Sequence, residues 1–562
     1  MDKIWLKSYP ANVKHEIDPN EYSSLSDLLN QAFQKHGDSP FSVCMERWMS
    51  YRELDQLSQA LGAWFQAQGL QPGSRIALML PNLPQFAVTM AAILRAGYTC
   101  VNVNPLYTAR ELEHQLKDSG ASAIVILENF AATLSEVIAR THIQHTVLAS
   151  IGDLLGPFYG RWMTFAVRHL AKMVPEFELP LSDTHSVTSF KQAIAAGRQL
   201  SLKPVSQSLD DIAFLQYTGG TTGLSKGAVL THRNIVAAIL QAETWFAPAL
   251  QSLPDLRKVN SIAALPLYHI FALTLCLLAM RQGSHLTLVP NPRDFGKFIE
   301  TLKKRPFHLL PGVNTLFNAL LQHPMFKTID FSTLCLTQAG GMAASEGTAR
   351  AWQAATGCAM IEGWGMSETC AIGTNNPVTQ TSFSGSIGLP LPSIEMAIKD
   401  DQGNSLAQGE SGEICIRGPN VMVGYYKQEE ETRKAFTPDG FMRTGDVGIM
   451  DENGFFRIVD RIKDMIIVSG FNVFPSELEN VISLCPGVVE CAAIGIPDAM
   501  QGEAIKVFVI RSDSMLTEEA VAKYCHDNLT GYKRPKYIEF RDELPKSNVG
   551  KILRRELRSN TH

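Results

Sequence analysis

Residues 75–127 read RIALMLPNLPQFAVTMAAILRAGYTCVNVNPLYTARELEHQLKDSGASAIVIL, and this stretch decides the fold. It alternates short apolar segments at 75–80, 100–103 and 123–127 with segments of helical periodicity. Nearly continuous apolar strands that alternate with helices are typical of parallel sheets covered by helices. The stretch therefore predicts an α/β fold.

The second helix of this stretch has a defined start. Thr108 is followed three residues later by Glu111, which is the pattern of a capping box. Leu112 and Leu116 then fall on one face, and Gly120 is expected near the end of the helix.

Composition bounds the class of protein. With 562 residues, 45 % of them hydrophobic and 19 % charged, the chain is expected to fold into two or more domains. A formal net charge of −5 gives no reason to expect a nucleic-acid partner. The 10 cysteines form no CxxC pair and no His/Cys cluster, which is typical of buried thiols in a reducing compartment.

The sequence shows no secretory signal, because the first residues lack an apolar core, and this predicts a cytoplasmic protein. Residues 261–280 are apolar over nearly the length of a membrane span. Pro266, Tyr268 and His269 interrupt them, and no basic flank precedes them, so an element of the protein core is favoured over a span.

The pattern changes near residue 460. Strands are expected at 491–496, 504–510 and 537–540, and a helix at 518–529, which together make a small α+β domain. The predicted domains are a large N-terminal region of several subdomains with parallel-rich sheets flanked by helices (1–460), a hinge (461–465) and a small C-terminal α+β domain (466–562).

A loop rich in glycine and threonine, YTGGTTGLSKG at 217–227, follows the strand expected at 212–216. Its glycines let backbone N–H groups approach a ligand closely, and its hydroxyls and the Lys226 ammonium suit phosphate oxygens. It is not a Walker A loop, because no Gly precedes Lys226 and no Ser or Thr follows it. By itself the loop leaves a phosphate site and a plain turn equally open.

The loop resembles the phosphate loop of the adenylate-forming superfamily, which includes acyl-CoA synthetases, luciferases and peptide-synthetase adenylation domains. Within that superfamily, residues 439–463 resemble the fatty-acyl-CoA synthetase signature, and the chain is similar to bacterial long-chain acyl-CoA synthetases. Seven further blocks follow in the order of that superfamily: PLYHIFAL (266–273), QAGGM (338–342), GWGMSET (363–369), TGD (444–446), DRIKD (460–464), SGFNVFP (469–475) and PKSNVGKILRREL (545–557).

The resemblance implies an ATP-dependent acid–thiol ligase that uses Mg²⁺ as cofactor and ATP and coenzyme A as co-substrates. Such an enzyme converts a long-chain fatty acid into an acyl-adenylate and then into acyl-CoA, for degradation or for lipid synthesis. One alternative is a fatty acyl-AMP ligase that loads an acyl-carrier protein. Another is a fatty-acid-binding or import factor with degenerate catalysis, against which the presence of Thr218, Glu368, Asp446 and Lys551 speaks.

The resemblance also implies catalytic and metal-binding roles. Glu368 and Thr218 match the residues that hold Mg²⁺, a hard cation that prefers oxygen ligands. Lys551 matches the lysine that reaches the reacting carboxylate and the α-phosphate, although a lysine in so basic a segment ordinarily faces solvent. The C-terminal domain is expected to be mobile, with Lys463 as its hinge.

The implied nucleotide site draws on the whole large region. Asp446 would accept hydrogen bonds from the ribose hydroxyls, with Arg461 as a second contact. Trp364 would pack on adenine where most relatives carry Tyr, although an ordinary core aromatic is the alternative. The full implied set is Tyr217, Thr218, Gly219, Gly220, Thr221, Thr222, Gly223, Lys226, Gly340, Gly341, Gly363, Trp364, Gly365, Ser367, Asp446 and Arg461.

The implied acyl and coenzyme A sites are less well defined. Some long-chain synthetases carry a tryptophan gate where this chain has Leu273, so the role of His269 and Phe271 is open. The implied acyl-binding set is His269, Phe271, Leu273, Gly341, Gly365 and Met366, and the implied coenzyme A set is Gly470, Lys533 and Arg534. The sequence leaves open whether the chain forms a homodimer and whether it associates peripherally with the cytoplasmic face of the inner membrane.

Overall fold

The computed structural model describes residues 3–180, 185–218, 225–253, 255–469, 471–498, 500–547 and 552–559, apart from the side chains of Asn472 and Ser559. The strands are β1 (Pro40–Cys44), β2 (Arg47–Ser50), β3 (Arg75–Met79), β4 (Thr99–Asn102), β5 (Ala123–Leu127), β6 (His145–Ala149), β7 (Ser186–Ser189), β8 (Ile212–Tyr217), β9 (Gly227–Thr231), β10 (Asn260–Ala263), β11 (His285–Leu288), β12 (Leu309–Gly312), β13 (Leu336–Ala339), β14 (Met360–Trp364), β15 (Thr374–Asn375), β16 (Leu389–Pro390), β17 (Glu395–Lys399), β18 (Gly412–Arg417), β19 (Gly424–Tyr425), β20 (Met442–Met450), β21 (Phe456–Arg461), β22 (Ile466–Val468), β23 (Phe471–Val473), β24 (Val488–Asp498), β25 (Gly502–Arg511) and β26 (Tyr537–Phe540). The helices are α1 (Leu25–His36), α2 (Tyr51–Ala67), α3 (Pro84–Arg95), α4 (Ala109–Ser119), α5 (Ala131–Ser135), α6 (Pro157–Phe165), α7 (Phe190–Gly197), α8 (His232–Leu250), α9 (Ile270–Gln282), α10 (Phe295–Lys303), α11 (Asn314–Gln322), α12 (Glu346–Thr356), α13 (Glu429–Ala435), α14 (Pro475–Ile482), α15 (Glu518–Asn528) and α16 (Arg554–Ser559).

Two large sheets organise most of the chain. One has the order β19-β9-β8-β4-β3-β5-β6-β7, and the other β16-β15-β14-β13-β12-β10-β11-β1-β2. The inner neighbours from β8 to β7 and from β14 to β1 are parallel, while the outer strands pair antiparallel. The predicted α/β class with parallel-rich sheets is confirmed.

Residues 75–127 form β3, α3, β4, α4 and β5, as their pattern predicts. The capping box is complete: the Glu111 carboxylate accepts from the Thr108 backbone N–H at 2.9 Å, and the Thr108 hydroxyl accepts from the Glu111 N–H at 3.4 Å. Gly120 follows the helix with φ of 61°, a left-handed conformation that costs Gly little.

The two sheets and the helices between them share one hydrophobic core. Helices α3, α8 and α9 are buried along most of their length. Residues 261–280 supply part of β10 and α9 to this core, so the expected core element is confirmed. In the part of the chain that the structure describes, no helix has both the length and the apolar character to cross a bilayer.

An antiparallel sheet of four strands, β17-β18-β20-β21, was not expected from the sequence. Strand β20 alternates buried and partly exposed residues over much of its length, as a sheet with one covered face does. In its register Asp446 lies opposite Arg461 of β21. The two residues implied to bind ribose are therefore cross-strand neighbours.

The C-terminal residues form a fourth sheet, β23-β22-β25-β24, with β26 added beside β25. Together with α14 and α15 this sheet encloses a hydrophobic cluster of its own, which includes Ile466, Leu478, Val507 and Val521. The strands and the helix expected in this part of the chain are present as β24, β25, β26 and α15. The domain limits at 460 and 465 stay predictions.

Candidate active site

A cavity of about 1280 Å³ opens between the two large sheets, the four-stranded sheet and the C-terminal residues. It gathers residues that are far apart in the chain, from Asn102 to Arg558. Of the implied site residues, those lining it are Tyr217, Thr218, Lys226, His269, Phe271, Gly340, Gly341, Gly363, Gly365, Met366, Ser367, Glu368, Arg461 and Lys463.

The described ends of the glycine-rich loop lie at this cavity. Strands β8 and β9 pair antiparallel, and the Thr218 backbone N–H donates to the Lys226 carbonyl at 3.0 Å. The hydroxyl of Tyr217 donates to the Asp118 carboxylate at 2.5 Å. Gly219, Gly220, Thr221, Thr222 and Gly223 lie outside the described residues, so their implied role stays a prediction.

The Lys226 ammonium is already engaged on the cavity wall. It pairs with the Glu431 carboxylate and lies 5.1 Å from the centre of the Tyr425 ring. Hydrogen bonds from Lys226 and Lys434 lower the pKa of Glu431 to about 2. A phosphate that binds Lys226 must therefore compete with a fully ionised carboxylate.

Glu368 is a buried carboxylate at the cavity. It follows β14 in a short turn, and one of its oxygens accepts from the Tyr425 hydroxyl at 2.9 Å. Burial raises the pKa of Glu368 above its ordinary value, although the hydrogen bond from Tyr425 and the positive charge of Arg461 act in the opposite direction. A cation at this position would favour the ionised form.

Trp364, Asp446 and Arg461 meet beside the cavity. The Trp364 indole N–H donates to one Asp446 oxygen at 2.9 Å, and the Arg461 guanidinium contacts the other at 2.9 Å. Asp446 is only 2 % exposed, and neither it nor Trp364 lines the cavity directly. The structure thus brings together three residues implied to bind the nucleoside, with both carboxylate oxygens occupied.

Two glycines allow the wall of the cavity to close tightly. A Cβ on Gly365 would lie 2.2 Å from the Ala371 carbonyl oxygen, so only Gly fits at this position. Gly341 has φ of 77°, in the region that favours Gly. Gly340, Gly363, Met366 and Ser367 complete this part of the wall.

The implied acyl residues divide. His269 caps the start of α9 and, with Phe271, lines the cavity. Burial lowers the pKa of His269 to about 4, so its imidazole is neutral near pH 7. Leu273, in contrast, is fully buried and does not line the cavity. Phe246, Ile270 and Leu275 do line it and extend its apolar part.

The C-terminal residues close the cavity from the other side. Ser547 and Ile552 both line it, while Lys551, which lies between them in the chain, and Gly470 lie outside the described residues. Lys463, in the turn between β21 and β22, lines it too, and burial lowers the pKa of its ammonium to about 8.

The two basic residues implied to bind coenzyme A lie elsewhere. Lys533 pairs with Glu477 at 2.6 Å. Arg534 donates to the carbonyls of Leu529 and His526, each at 3.0 Å. Neither lines the cavity.

Comparison with known proteins decides the family. The model of the AMP-binding enzyme family matches residues 29–426, and that of the AMP-binding enzyme C-terminal domain matches 477–551. The chain belongs to the AMP-binding enzyme family. It is 48 % identical over 560 residues to the long-chain-fatty-acid–CoA ligases of Yersinia pestis and Escherichia coli O157:H7, covering 99 % of this chain and 98 % of each relative.

Solved structures of AMP-binding enzymes agree with the fold. The ATP-bound structure of MatB from Rhodopseudomonas palustris is 28 % identical, with a TM-score of 0.79 over 95 % of this chain and 98 % of that one. An anthranilate CoA ligase in complex with anthranoyl-AMP is 24 % identical, with a TM-score of 0.82 over 97 % of this chain and 98 % of that one.

Several residues of this AMP-binding enzyme were missed by sequence reasoning. Tyr425 and Glu431 contact Glu368 and Lys226, yet the segment GYYKQEEET carries no signal beyond a charged helix start. The buried amide oxygens of Gln338 and Asn375 have no hydrogen-bond partner among the described residues, and both residues line the cavity. Such acceptors are rare in folded proteins and suit a ligand with N–H groups.

Proposed function

We propose that this chain is a long-chain fatty acid–CoA ligase of the AMP-forming type. In the first step the fatty carboxylate attacks the α-phosphate of ATP, forming acyl-AMP and releasing pyrophosphate. In the second, the thiol of coenzyme A attacks the acyl carbon, forming acyl-CoA and releasing AMP. The observation that carries the proposal is the 48 % identity over nearly the whole chain to ligases of this name.

The cavity supports the same reaction. The cavity is lined by Thr218, Lys226 and Glu368, which we propose to bind the triphosphate and its metal, and also by apolar side chains such as Phe271 and Leu275. A charged and an apolar substrate would thus meet in one enclosed space, where positioning alone accelerates reaction. The neutral His269 adds no charge beside the acyl chain.

Several side chains are proposed to orient the nucleotide. The unpartnered acceptors of Gln338 and Asn375 suit the exocyclic amino group of adenine. Asp446 would exchange the Trp364 N–H and the Arg461 guanidinium for ribose hydroxyls. Lys226 would release Glu431 to bind phosphate, and Lys551 would stabilise the charge that grows on the α-phosphate.

The site fits Mg²⁺. Glu368 is a carboxylate whose pKa is raised by burial, and Thr218, which carries a hydroxyl, lines the same cavity. Mg²⁺ in nucleotide sites is usually held by one or two protein oxygens together with substrate phosphates. When bound, the ion would neutralise the charge of the triphosphate.

The test is a chain-length series measured by pyrophosphate release, followed by quantification of acyl-CoA. We expect the highest kcat/KM for acids longer than about ten carbons, because each buried CH₂ contributes roughly 0.8 kcal/mol. A preference for acetate or coumarate would contradict the proposal. Thioester on a holo-acyl-carrier protein but none on coenzyme A would favour the fatty acyl-AMP ligase instead.

The binding site of coenzyme A and the association with the membrane are also proposals. Gly470, Lys533 and Arg534 are proposed to lie along the path of coenzyme A, and domain movement about Lys463 to open it. The protein is further proposed to be cytoplasmic and to associate peripherally with the inner membrane, where its acid substrate partitions. Alkaline carbonate should extract it from membranes, and light scattering will distinguish a monomer from the proposed homodimer.

A further inference from the structure

Helix α6 and the π-helical turn that continues it, Ala166–Leu170, carry a row of exposed aromatic side chains. Phe158 is 86 % exposed, Trp162 57 % and Phe165 53 %. Their spacing of four and three residues places them on one face of the helix. Single exposed apolar residues are ordinary, but a contiguous aromatic row marks an interaction surface.

The opposite face of this helix is seated on the large region. A Cβ on Gly160 would lie 2.1 Å from the Gly152 carbonyl oxygen, so the two backbones are in direct contact. Val167 is buried, and the Arg168 guanidinium donates to the buried Glu128 carboxylate at 2.7 Å. These contacts fix the orientation of the helix, so the aromatic row faces solvent.

The segment that carries the row is basic. Residues 157–175 include Arg161, Arg168 and Lys172 and no Asp or Glu, while Arg168 pairs with Glu128 and the next acidic residues are Glu176 and Glu178. Arg161 and Lys172 are exposed. Phe and Trp beside Arg and Lys, on a helix lying along a surface, are the features of helices that bind the interface of anionic membranes.

Other occupants fit this surface less well. In a symmetric pair of chains the same basic face would meet itself, placing like charges opposite one another. A protein partner would have to supply both an apolar groove and an acidic rim. A bilayer with anionic lipids supplies a negative surface and an apolar layer directly beneath it.

We propose that Phe158, Trp162 and Phe165, with Arg161 and Lys172, form the surface by which this protein docks on an anionic phospholipid bilayer. The aromatic rings enter the headgroup layer while the two cations contact lipid phosphates. This inference rests on the proposed peripheral association and assigns it to a defined face of the fold. The same bilayer holds the long-chain acid that the ligase is proposed to use.

The test is sedimentation of the full chain with vesicles of phosphatidylglycerol and phosphatidylethanolamine, and with vesicles of phosphatidylcholine. We expect the triple variant F158S/W162S/F165S to bind the anionic vesicles at least about tenfold more weakly than the wild type. The variant R161E/K172E should lose a similar factor on anionic vesicles and little on phosphatidylcholine. The control L484S/M500S/M515S changes three apolar residues elsewhere, which are 74 %, 93 % and 80 % exposed, and should bind as the wild type does.

Two readouts keep the outcome clear. Each variant should form decanoyl-CoA in solution at the wild-type rate, which shows that it is folded. A wild type that makes no acyl-CoA contradicts the proposed function, whereas one that makes it but ignores anionic vesicles overturns only the docking surface. Unchanged vesicle binding in F158S/W162S/F165S, equal loss in the control, or dissociation of a dimer without an effect on vesicles would also overturn it.

Discussion

The two walls of the cavity are held in different ways. The sheet wall, residues 363–369 with His269 and Phe271, follows the carboxyl end of β14 and the start of α9, inside the main core. The C-terminal wall, residues 546–547 and 552–558, rests on a smaller core of its own and on charged contacts. Arg554 joins both Glu479 oxygens at 2.7 and 2.8 Å and reaches Asp464 at 3.4 Å.

The side chains of the two walls are therefore positioned by different kinds of interaction. Backbone packing positions the sheet wall, because a residue such as Gly365 leaves no room for any other side chain. The C-terminal wall is positioned by a few ionic groups, so a single substitution can release it. The groups proposed for catalysis on the first wall are therefore held in place by packing, while the position of those on the second depends on the position of the C-terminal domain.

The largest effect is expected from a substitution that removes the ion pair of the C-terminal wall. Arg554→Met leaves the Glu479 carboxylate largely buried without its partner, which costs about 3–5 kcal/mol in comparable ion pairs. Hydrogen exchange in β24 and β25 should accelerate accordingly, while exchange in β3 and β5 stays unchanged. Arg555→Met, at an exposed neighbour, is the control. Equal protection of β24 in both variants would show that the ion pair does not hold this wall.

The second prediction separates the two steps of the reaction. Lys551→Ala should slow adenylation by about 10²–10³-fold, the usual loss for one electrostatic donor in a transition state. Supplied with preformed acyl-adenylate and coenzyme A, the variant should still form thioester. Rapid-quench quantification of acyl-AMP and acyl-CoA measures both steps, with the exposed Lys523→Ala as control. Equal losses in both steps would count against a C-terminal wall that acts in adenylation alone.

The third prediction concerns the metal at the sheet wall. Glu368→Gln keeps the shape and removes the charge, so it should lower adenylation at limiting Mg²⁺ roughly a hundredfold, in line with the several kcal/mol that a metal contributes. Glu362→Gln is the matched control, because Glu362 is also buried on β14 but accepts from the Ala344 N–H and does not line the cavity. A near-normal Mg²⁺ titration of Glu368→Gln would remove it from the metal site.

The fourth prediction measures how tightly the sheet wall is packed. Gly365→Ala forces a methyl group against the Ala371 backbone and should lower the free energy of unfolding by about 1–3 kcal/mol, as overpacking does. Gly347→Ala, in α12 with nothing within 4 Å of the new Cβ, should instead raise it by about 0.5–1 kcal/mol. Urea unfolding followed by tryptophan fluorescence compares the two variants. If Gly365→Ala left the free energy of unfolding unchanged, the backbone of this wall would be able to move and accommodate the methyl group.

The sequence predicted the sheet wall far better than the C-terminal wall. Local signals predicted the apolar strands and the Thr108 capping box, and the resemblance of the ordered motifs implied Gly365 and Glu368, which both line the cavity. Contacts between distant segments were not predictable. Trp364 and Asp446 are 82 residues apart, and nothing in either motif indicates their hydrogen bond. Tyr425 and Arg554 act through partners that only the folded chain brings near.

The last effect is a pH dependence confined to the sheet wall. Burial lowers the pKa of His269 to about 4 from an ordinary value of 6.5, so between these values the unfolded chain binds a proton that the folded chain does not. Stability from this group therefore falls as the pH decreases from about 6.5 to about 4. In His269→Asn this loss is absent, and the free energy of unfolding relative to wild type should rise by up to about 3 kcal/mol across that window. Lys463→Met is the control from the joint of the C-terminal domain: burial lowers the pKa of Lys463 only to about 8, so its contribution changes above that pH and is flat in acid. Urea unfolding at pH 6.8, 5.5 and 4.5 measures both differences, and every Trp lies before residue 365, so indole fluorescence reports the large region. A difference between His269→Asn and wild type that stays constant with pH would show that the imidazole at this wall reaches solvent.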